Sequence, residues 1–462
     1  MKVGAVQPAA TALAALIERL PRQQPPEALT RAREAVLDTL GVALAGAREE
    51  PSRAVAHAVS AWGNGPATIL HGPAHAAPPW AALANGTAAH ALDYDDYDTA
   101  AIAHGSAVTV PALIALAEAL DSTLDALLDA YIIAFEVLTR IGDAINPDHY
   151  RRGWHSTSTI GAIAAAAGCA RLLRLDTSAM ASAISLGASM AAGTRGQLGF
   201  DAKPIHAGLA AKNGVVAASL AAVGITAAPS ILEGPQGFGA LYSGFDSLTF
   251  PPATFDDGPL SLVTRGLVVK RFPACGSTLR AVDALLILRN RHGILPEQVK
   301  TIVASLPLTQ ARNLRYAEPV TQSQAKFSLQ WCFALALSFG TLRLADFRSD
   351  VLIRPELRSL LPLTSIEPRP DSEGASGSQA RVVVHLTNGA RFEASVVDAI
   401  GTPANPLSRE DLYSKFHDCT ATAGLSQPAS ERLAMLLLGE DGAVRVRTLL
   451  QPQWEDEPQA AA

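Results

Sequence analysis

Pro111-Ala112-Leu113-Ile114-Ala115-Leu116-Ala117-Glu118-Ala119-Leu120-Asp121-Ser122-Thr123-Leu124-Asp125-Ala126-Leu127-Leu128-Asp129-Ala130-Tyr131-Ile132-Ile133-Ala134-Phe135 is the stretch that decides the fold class. Leu113, Ile114, Leu116 and Leu120 recur at helical spacing behind Pro111, a residue favoured in a helix's first turn. Asp121-Ser122 reads as the cap of the next helix, which carries Leu124, Leu127, Leu128, Tyr131 and Phe135. The same texture extends outward on both sides. Pro26-Glu27 opens a helix with Leu29, Val36, Leu40 and Leu44 that Gly46 closes, and Ala-rich helices are expected around 159–173, 178–192 and 207–223. Strand-like runs are almost absent up to about residue 260.

The texture then changes. Residues 299–307 alternate in the manner of a strand, and 381–397 read as a hairpin around Asn388-Gly389. Pro368 to Ser378 is polar and Gly/Ser-rich, an expected exposed loop. Helices return after Gly401, one of them near 430–438, and Gln451 to Ala462 reads as a frayed tail. The expected fold is mainly α. A helical domain spans 1–262, a smaller α/β domain is inserted over 263–401, and a C-terminal segment covers 402–462.

Composition narrows the function classes. Of 462 residues, 48% are hydrophobic and only 17% charged, so the chain buries a large core and exposes few charges, which favours a homo-oligomer. A net charge of −6 without a basic run excludes a nucleic-acid backbone as partner. Cys169, Cys275, Cys332 and Cys419 lie far apart, with neither zinc nor disulfide spacing, as expected for a reducing cytoplasm. The N-terminus reads as an amphipathic helix rather than a leader, since Gln7, Pro8 and Glu18-Arg19 interrupt its apolar stretch. The uncharged windows Ala54–Leu92 and Asn213–Leu232 are broken by Gly and Pro and are not membrane spans. Walker, Rossmann, nucleophile-elbow and HExxH motifs are all missing, which disfavours nucleotide, nicotinamide and zinc-hydrolase chemistry.

The chemistry concentrates in a few segments. His90-Ala91-Leu92-Asp93-Tyr94-Asp95-Asp96-Tyr97-Asp98 packs four carboxylates into six residues, which repel unless a cation, a cationic side chain or protonation relieves them. A Mg²⁺ site for a diphosphate lacks its second acidic cluster, and an EF-hand starting at Asp93 would need Gly where Asp98 stands. Read alone, the segment is as readily an acidic helix end facing water. His104 follows in His104-Gly105-Ser106. Arg151-Arg152-Gly153-Trp154-His155 sets a histidine at the mouth of an apolar helix that Ser156, Thr157 or Ser158 would cap. Arg195 to Gly208 reads as a polar loop ending in Lys203 and His206 directly before a helix, and Lys270-Arg271-Phe272-Pro273-Ala274-Cys275 lies where the helical part hands over to the α/β part. Singly, each is as easily structural: a helix-start histidine, a surface lysine, a small buried thiol. Together, cations and neutral bases suit an enzyme of small polycarboxylates, which must neutralise carboxylates and move a proton beside one.

These segments, with Asn85-Gly86-Thr87-Ala88-Ala89-His90, Ala202-Lys203-Pro204-Ile205-His206-Ala207-Gly208, Ala325-Lys326-Phe327-Ser328-Leu329 and Gly401-Thr402-Pro403, resemble the MmgE/PrpD family over nearly the whole chain. The resemblance implies a large helical domain completed by the C-terminal segment, a smaller α/β lid, and a site between them. It also implies a homodimer with neither metal nor organic cofactor. Carried over position by position, it puts catalytic roles on Asp93, His104, His155, Lys203 and Lys270, with Tyr316 as a substrate contact; Cys275, Arg195 and His206, from the polar segments above, are further expected substrate contacts. The family's dehydratases share His-Pro-Ser-Asp-Asn where this chain has His104-Gly105-Ser106-Ala107-Val108; its decarboxylase has a histidine at Cys275, and Leu279 replaces another frequent histidine. The expected reaction is proton abstraction α to a carboxylate, leading to dehydration or a related lyase outcome. Epimerisation of a small dicarboxylate stands second, ahead of a cis-aconitate-type decarboxylation or a non-catalytic binding homologue.

Overall fold

The computed structural model describes residues 7–70, 74–244, 250, 252–372 and 379–450. Its buried apolar side chains form two large clusters. One gathers residues from Ala9 to Leu262 together with Leu412 to Leu450, and the other gathers Val268 to Ala399 with Leu198. The fold is mainly helical, with one small mixed sheet in the C-terminal region.

In the first cluster the Pro78–Ala91 and Ser156–Leu172 helices both lie against the Ala202–Ala222 helix. Small residues make this approach possible. A Cβ on Gly208 would overlap the Leu83 carbonyl and the Thr87 hydroxyl, and Gly86 faces Gly208 across the same seam. With so few aromatics, close backbone packing supplies the dispersion contacts that large side chains would otherwise give. The Arg409–Ala423 helix returns to pack on the Pro26–Gly46 helix, where Phe416 covers Gly41 and Lys415 Nζ lies 2.7 Å from Asp38.

The sheet runs Thr364–Arg369, Val299–Pro307, Ala380–Leu386, Arg391–Val396, the first pair parallel and the others antiparallel. Val382 and Val384 point into the second core, under the Leu279–His292 helix. Arg381, on the solvent face, makes a two-point ion pair with Glu393 of the neighbouring strand at 2.7 and 2.8 Å.

Several local expectations are corrected. The helix assigned from Pro111 begins five residues earlier, at Ser106, so Pro111 sits inside it and supplies no amide to the Ala107 carbonyl. Burial of this helix among its neighbours outweighs that loss. The next helix is capped by Thr123, whose hydroxyl accepts from Ala126, and not by Asp121-Ser122. The helix expected from 207 begins at Ala202, which puts Lys203 and His206 on its first two turns rather than in a loop. Pro368 and Arg369 belong to a strand, paired with Leu306 and Pro307, so the expected loop starts later; 373–378 and the tail 451–462 lie outside the described residues. Among the described residues no helix is long and apolar enough to cross a membrane, and all four cysteines are free and buried.

Candidate active site

The acidic segment begins where the Pro78–Ala91 helix ends. Asp93 takes a left-handed backbone conformation, φ +51°, which Asp tolerates better than most residues. The turn drives the carboxylates inward: Asp93, Asp95, Asp96 and Asp98 are all buried, so the water-facing reading of this segment is overturned. Their mutual repulsion is relieved by the means that elementary electrostatics allows. Asp93 Oδ1 lies 3.2 Å from Lys203 Nζ and 2.7 Å from Lys270 Nζ. Asp95 Oδ2 meets His90 Nδ1 at 2.7 Å and His104 Nδ1 at 3.0 Å. Asp96 accepts from Ser106 Oγ at 2.7 Å and is pushed well above the usual carboxylate range by burial, which favours its uncharged form. Asp98 accepts from the Ala101 amide at 2.6 Å.

These contacts fix tautomers. With the Nδ1 proton of His90 donated to Asp95, its Nε2 lone pair is free to accept from Lys203 Nζ at 2.8 Å. Burial pulls His90 down to about 4, so it is neutral and acts as a spacer between carboxylate and ammonium. His104 turns the same edge toward Asp95, leaving Nε2 3.9 Å from Asp93 at the cavity wall. His155 precedes the Ser156–Leu172 helix as its N-cap residue, and no hydroxyl of Ser156, Thr157 or Ser158 caps that helix. Its Nδ1 lies 3.1 Å from His206 Nδ1, and Ser158 Oγ donates instead to the His206 carbonyl.

A cavity of about 330 Å³ opens in front of this array. Asp93, His104, His155, Thr157 and Lys203 line its deep wall; Cys275, Ser277, Arg280 and Phe327 come from the α/β part. Arg195 lies at the rim, stacked 3.6 Å over the Tyr150 ring and bonded to the Tyr150 carbonyl and Asn313 Oδ1. Of the residues chosen from sequence, six therefore share one cavity: Asp93, His104, His155, Lys203, Arg195 and Cys275. Lys270 is fully buried behind Asp93, and His206 backs His155. Tyr316 is turned to the main chain, its hydroxyl donating to the Leu198 carbonyl at 2.9 Å. In sequence, His90 and Asp95 stand out only as part of the acidic run, and Tyr97, Tyr150, Asn313 and Arg280 carry no signal of their own.

His90, Asp93, Asp95 and His104 could converge on a cation, since one donor atom from each lies within 4.8 Å of the others. The facing atoms are already engaged, however. Two ammonium groups share Asp93 Oδ1 and a third contact ties Lys203 to His90, so a metal ion would have to expel like charge. The donor set suits an ammonium-bridged network better than a metal.

Burial, reinforced by His90 and Lys203, holds His155 well below the usual histidine value; burial also lowers His104. Both are neutral bases in the free protein. Where these imidazoles accept the proton, kcat/KM is therefore expected to fall only below about pH 6.5, the unperturbed histidine value; where they donate it, kcat/KM falls as pH rises through the same lowered values. A limb set by either histidine at or above about pH 6.5 would contradict the assignment.

The fold and this cavity define a class. The chain belongs to the MmgE/PrpD family: the MmgE/PrpD N-terminal domain matches residues 11–251 and the MmgE/PrpD C-terminal domain residues 272–438. It is an enzyme of that family, a lyase acting on carboxylates. Among its relatives, human cis-aconitate decarboxylase is 30% identical over 427 residues, covering 88% of this chain and 86% of the relative. The mouse cis-aconitate decarboxylase is 29% identical, covering 93% and 90%, and that of Aspergillus terreus is 26% identical, covering 92% of each.

Proposed function

We propose that this protein is a carboxy-lyase that removes CO₂ from an unsaturated tricarboxylate of the cis-aconitate type. The observation that carries the reading is the cavity itself, where two neutral imidazoles, His104 and His155, share the lining with Lys203, Arg195 and Arg280 around a volume suited to a small acid. The likeness to cis-aconitate decarboxylases over most of the chain supports the choice of substrate. In the reaction the C–C bond to one carboxylate breaks, and its electron pair moves through the neighbouring double bond into an aci-carboxylate that the cations stabilise. A proton completes the carbon, one consumed for each CO₂ released. Substrate carboxylates beside His104 and His155 favour their protonated forms, so the same imidazoles supply that proton. Lys270, behind Asp93, keeps that carboxylate charged and Lys203 in place.

Two sequence differences weigh in opposite directions. Ala107 and Val108 stand where the family's dehydratases resemble one another in Asp-Asn, which favours CO₂ loss. Cys275 stands where the decarboxylase has histidine, which favours dehydration as the second reading. The test is an incubation in D₂O with cis-aconitate and with hydroxylated tricarboxylates, followed by NMR and CO₂ capture. CO₂ with one deuterium gained per product is expected. Water loss from the hydroxy acids without CO₂ would establish the dehydratase, and deuterium wash-in without net product would establish an epimerase.

A further inference from the structure

The cavity cations differ in how they are balanced. Lys203 is paired with Asp93 at 3.2 Å, and Arg151 lies 3.8 Å from Asp148. Arg280 and Arg195 are different: among the described residues no carboxylate lies within ion-pair distance of either, and of the two only Arg280 comes from the α/β part, where it is partly buried and lines the cavity. Its guanidinium is not loose. Nε donates to the Val397 carbonyl at 2.6 Å, which fixes the plane of the fork and leaves the terminal nitrogens for other partners. Arg280 sits in the first turn of the Leu279–His292 helix, reached through the short Gly276–Thr278 turn.

Tyr97 stands beside it. The main chain of Tyr97 is tied to Val268 by two hydrogen bonds of 3.0 Å, and its phenol packs over Gly276 so closely that a Cβ there would lie 2.9 Å from the ring. The phenol also lines the cavity, with its ring centroid 5.8 Å from that of His104. Thus a planar, pre-aimed guanidinium, without a counter-ion among the described residues, and a phenol hydroxyl both line a cavity that Lys203 and Arg195 also line. Cys275, next to them, offers only a buried thiol.

We infer that Arg280, with the Tyr97 hydroxyl beside it, docks one carboxylate of the substrate and is the residue that selects tricarboxylates over dicarboxylates. The inference rests on the reading of this cavity as a polycarboxylate site, but not on which bond the enzyme breaks. Besides Arg151, whose side chain is exposed and paired with Asp148, the cavity offers Lys203, Arg195 and Arg280 to the three carboxylates; removing Arg280 still accommodates two. A guanidinium–carboxylate contact of this kind is two-pronged and geometrically selective, which a lysine at the same place reproduces only in charge.

The experiment uses tricarballylate, a saturated tricarboxylate with neither double bond nor hydroxyl to lose, and glutarate, its dicarboxylate counterpart. Their binding to the full chain is measured by calorimetry, so the outcome is independent of turnover. Arg280→Gln is expected to weaken tricarballylate roughly 10- to 100-fold, down to the level of glutarate, and to change glutarate less than about 2-fold. Arg280→Lys is expected to recover part of the loss. Arg291→Gln, on the exposed end of the same helix, controls for net charge and should leave both affinities unchanged. Equal weakening of both ligands by Arg280→Gln, or none, overturns the inference. If Arg280→Gln fails to fold, Arg280→Lys carries the test alone: an unchanged tricarballylate-to-glutarate ratio would then overturn it. Failure of CO₂ release from cis-aconitate would leave this binding result standing, so the two readings fail separately.

Discussion

Replacing His155 by alanine is expected to lower kcat by roughly 10²–10⁴, with a smaller change in KM. The imidazole lines the cavity, is neutral because burial and the adjoining Lys203 disfavour its protonation, and is steadied from behind by His206 at 3.1 Å. A group that exchanges a proton only as the transition state forms contributes little to ground-state binding, so the loss falls on kcat. Lys203→Ala is expected to behave differently and to impair both parameters, because an ammonium at the cavity wall attracts the substrate's charge before and during reaction. His292 supplies the control. It is exposed, stacks on Phe392 with ring centroids 3.9 Å apart, and belongs to the second core's outer face. His292→Ala should leave steady-state rates within 2-fold, by the rule that surface changes away from special features cost little. Full activity in His155→Ala together with a dead His292→Ala would reverse the assignment.

The parts of the fold legible in the sequence are those set by local pattern. The Pro26–Gly46 helix and the Val299–Pro307 strand fall where periodicity and end signals put them. Starts set by tertiary contact were not legible. Ser106 opens its helix while its hydroxyl bonds Asp96 and Tyr131, partners that no spacing rule connects. Ala202 opens the next mis-set helix, whose first turn is held by the Lys203 contacts to Asp93 and His90 rather than by a capping side chain. The site follows the same division. Four carboxylates in six residues announce that something must balance them, but the balancing ammoniums lie 110 and 177 residues away in the chain. Only family resemblance could bring those lysines to Asp93. Arg280 is marked by neither route, because one arginine at a helix start has no distinguishing neighbour in sequence; its significance is its place in the cavity wall with no carboxylate beside it among the described residues, which is a property of three dimensions.

Asp93→Asn is expected to destabilise the folded protein by about 3–5 kcal/mol, the usual cost of stranding a buried charge. Burial alone would raise the Asp93 carboxyl, but Lys203 and Lys270 outweigh it and hold the group well below the usual carboxylate range. Burial likewise disfavours the Lys270 ammonium, yet Asp93, joined by Asp95, more than compensates and its affinity for the proton is raised. An asparagine fills the same space without the charge. Its amide oxygen still accepts from Lys203 and from the fully buried Lys270, which also keeps the backbone carbonyl of residue 93 at 2.7 Å, but the negative charge that balances the two ammoniums is gone. The pH dependence follows from the signs. A carboxylate with a depressed folded value contributes stability above its unfolded value, near 3.9, and loses it only as pH falls through the folded one. An ammonium with a raised folded value contributes below its unfolded value, near 10.4, and loses it only as pH rises through the folded one. Neither boundary lies between pH 5 and 8, so the difference between Asp93→Asn and wild type in urea unfolding should be large and flat across that range. Adding Lys270→Met removes the stranded cation, and the double variant should recover stability relative to Asp93→Asn, a coupling that a thermodynamic cycle isolates. A single-variant loss below about 1 kcal/mol, or a double variant less stable than either single one, would mean that the Asp93–lysine network does not bear the charge balance that holds this site together.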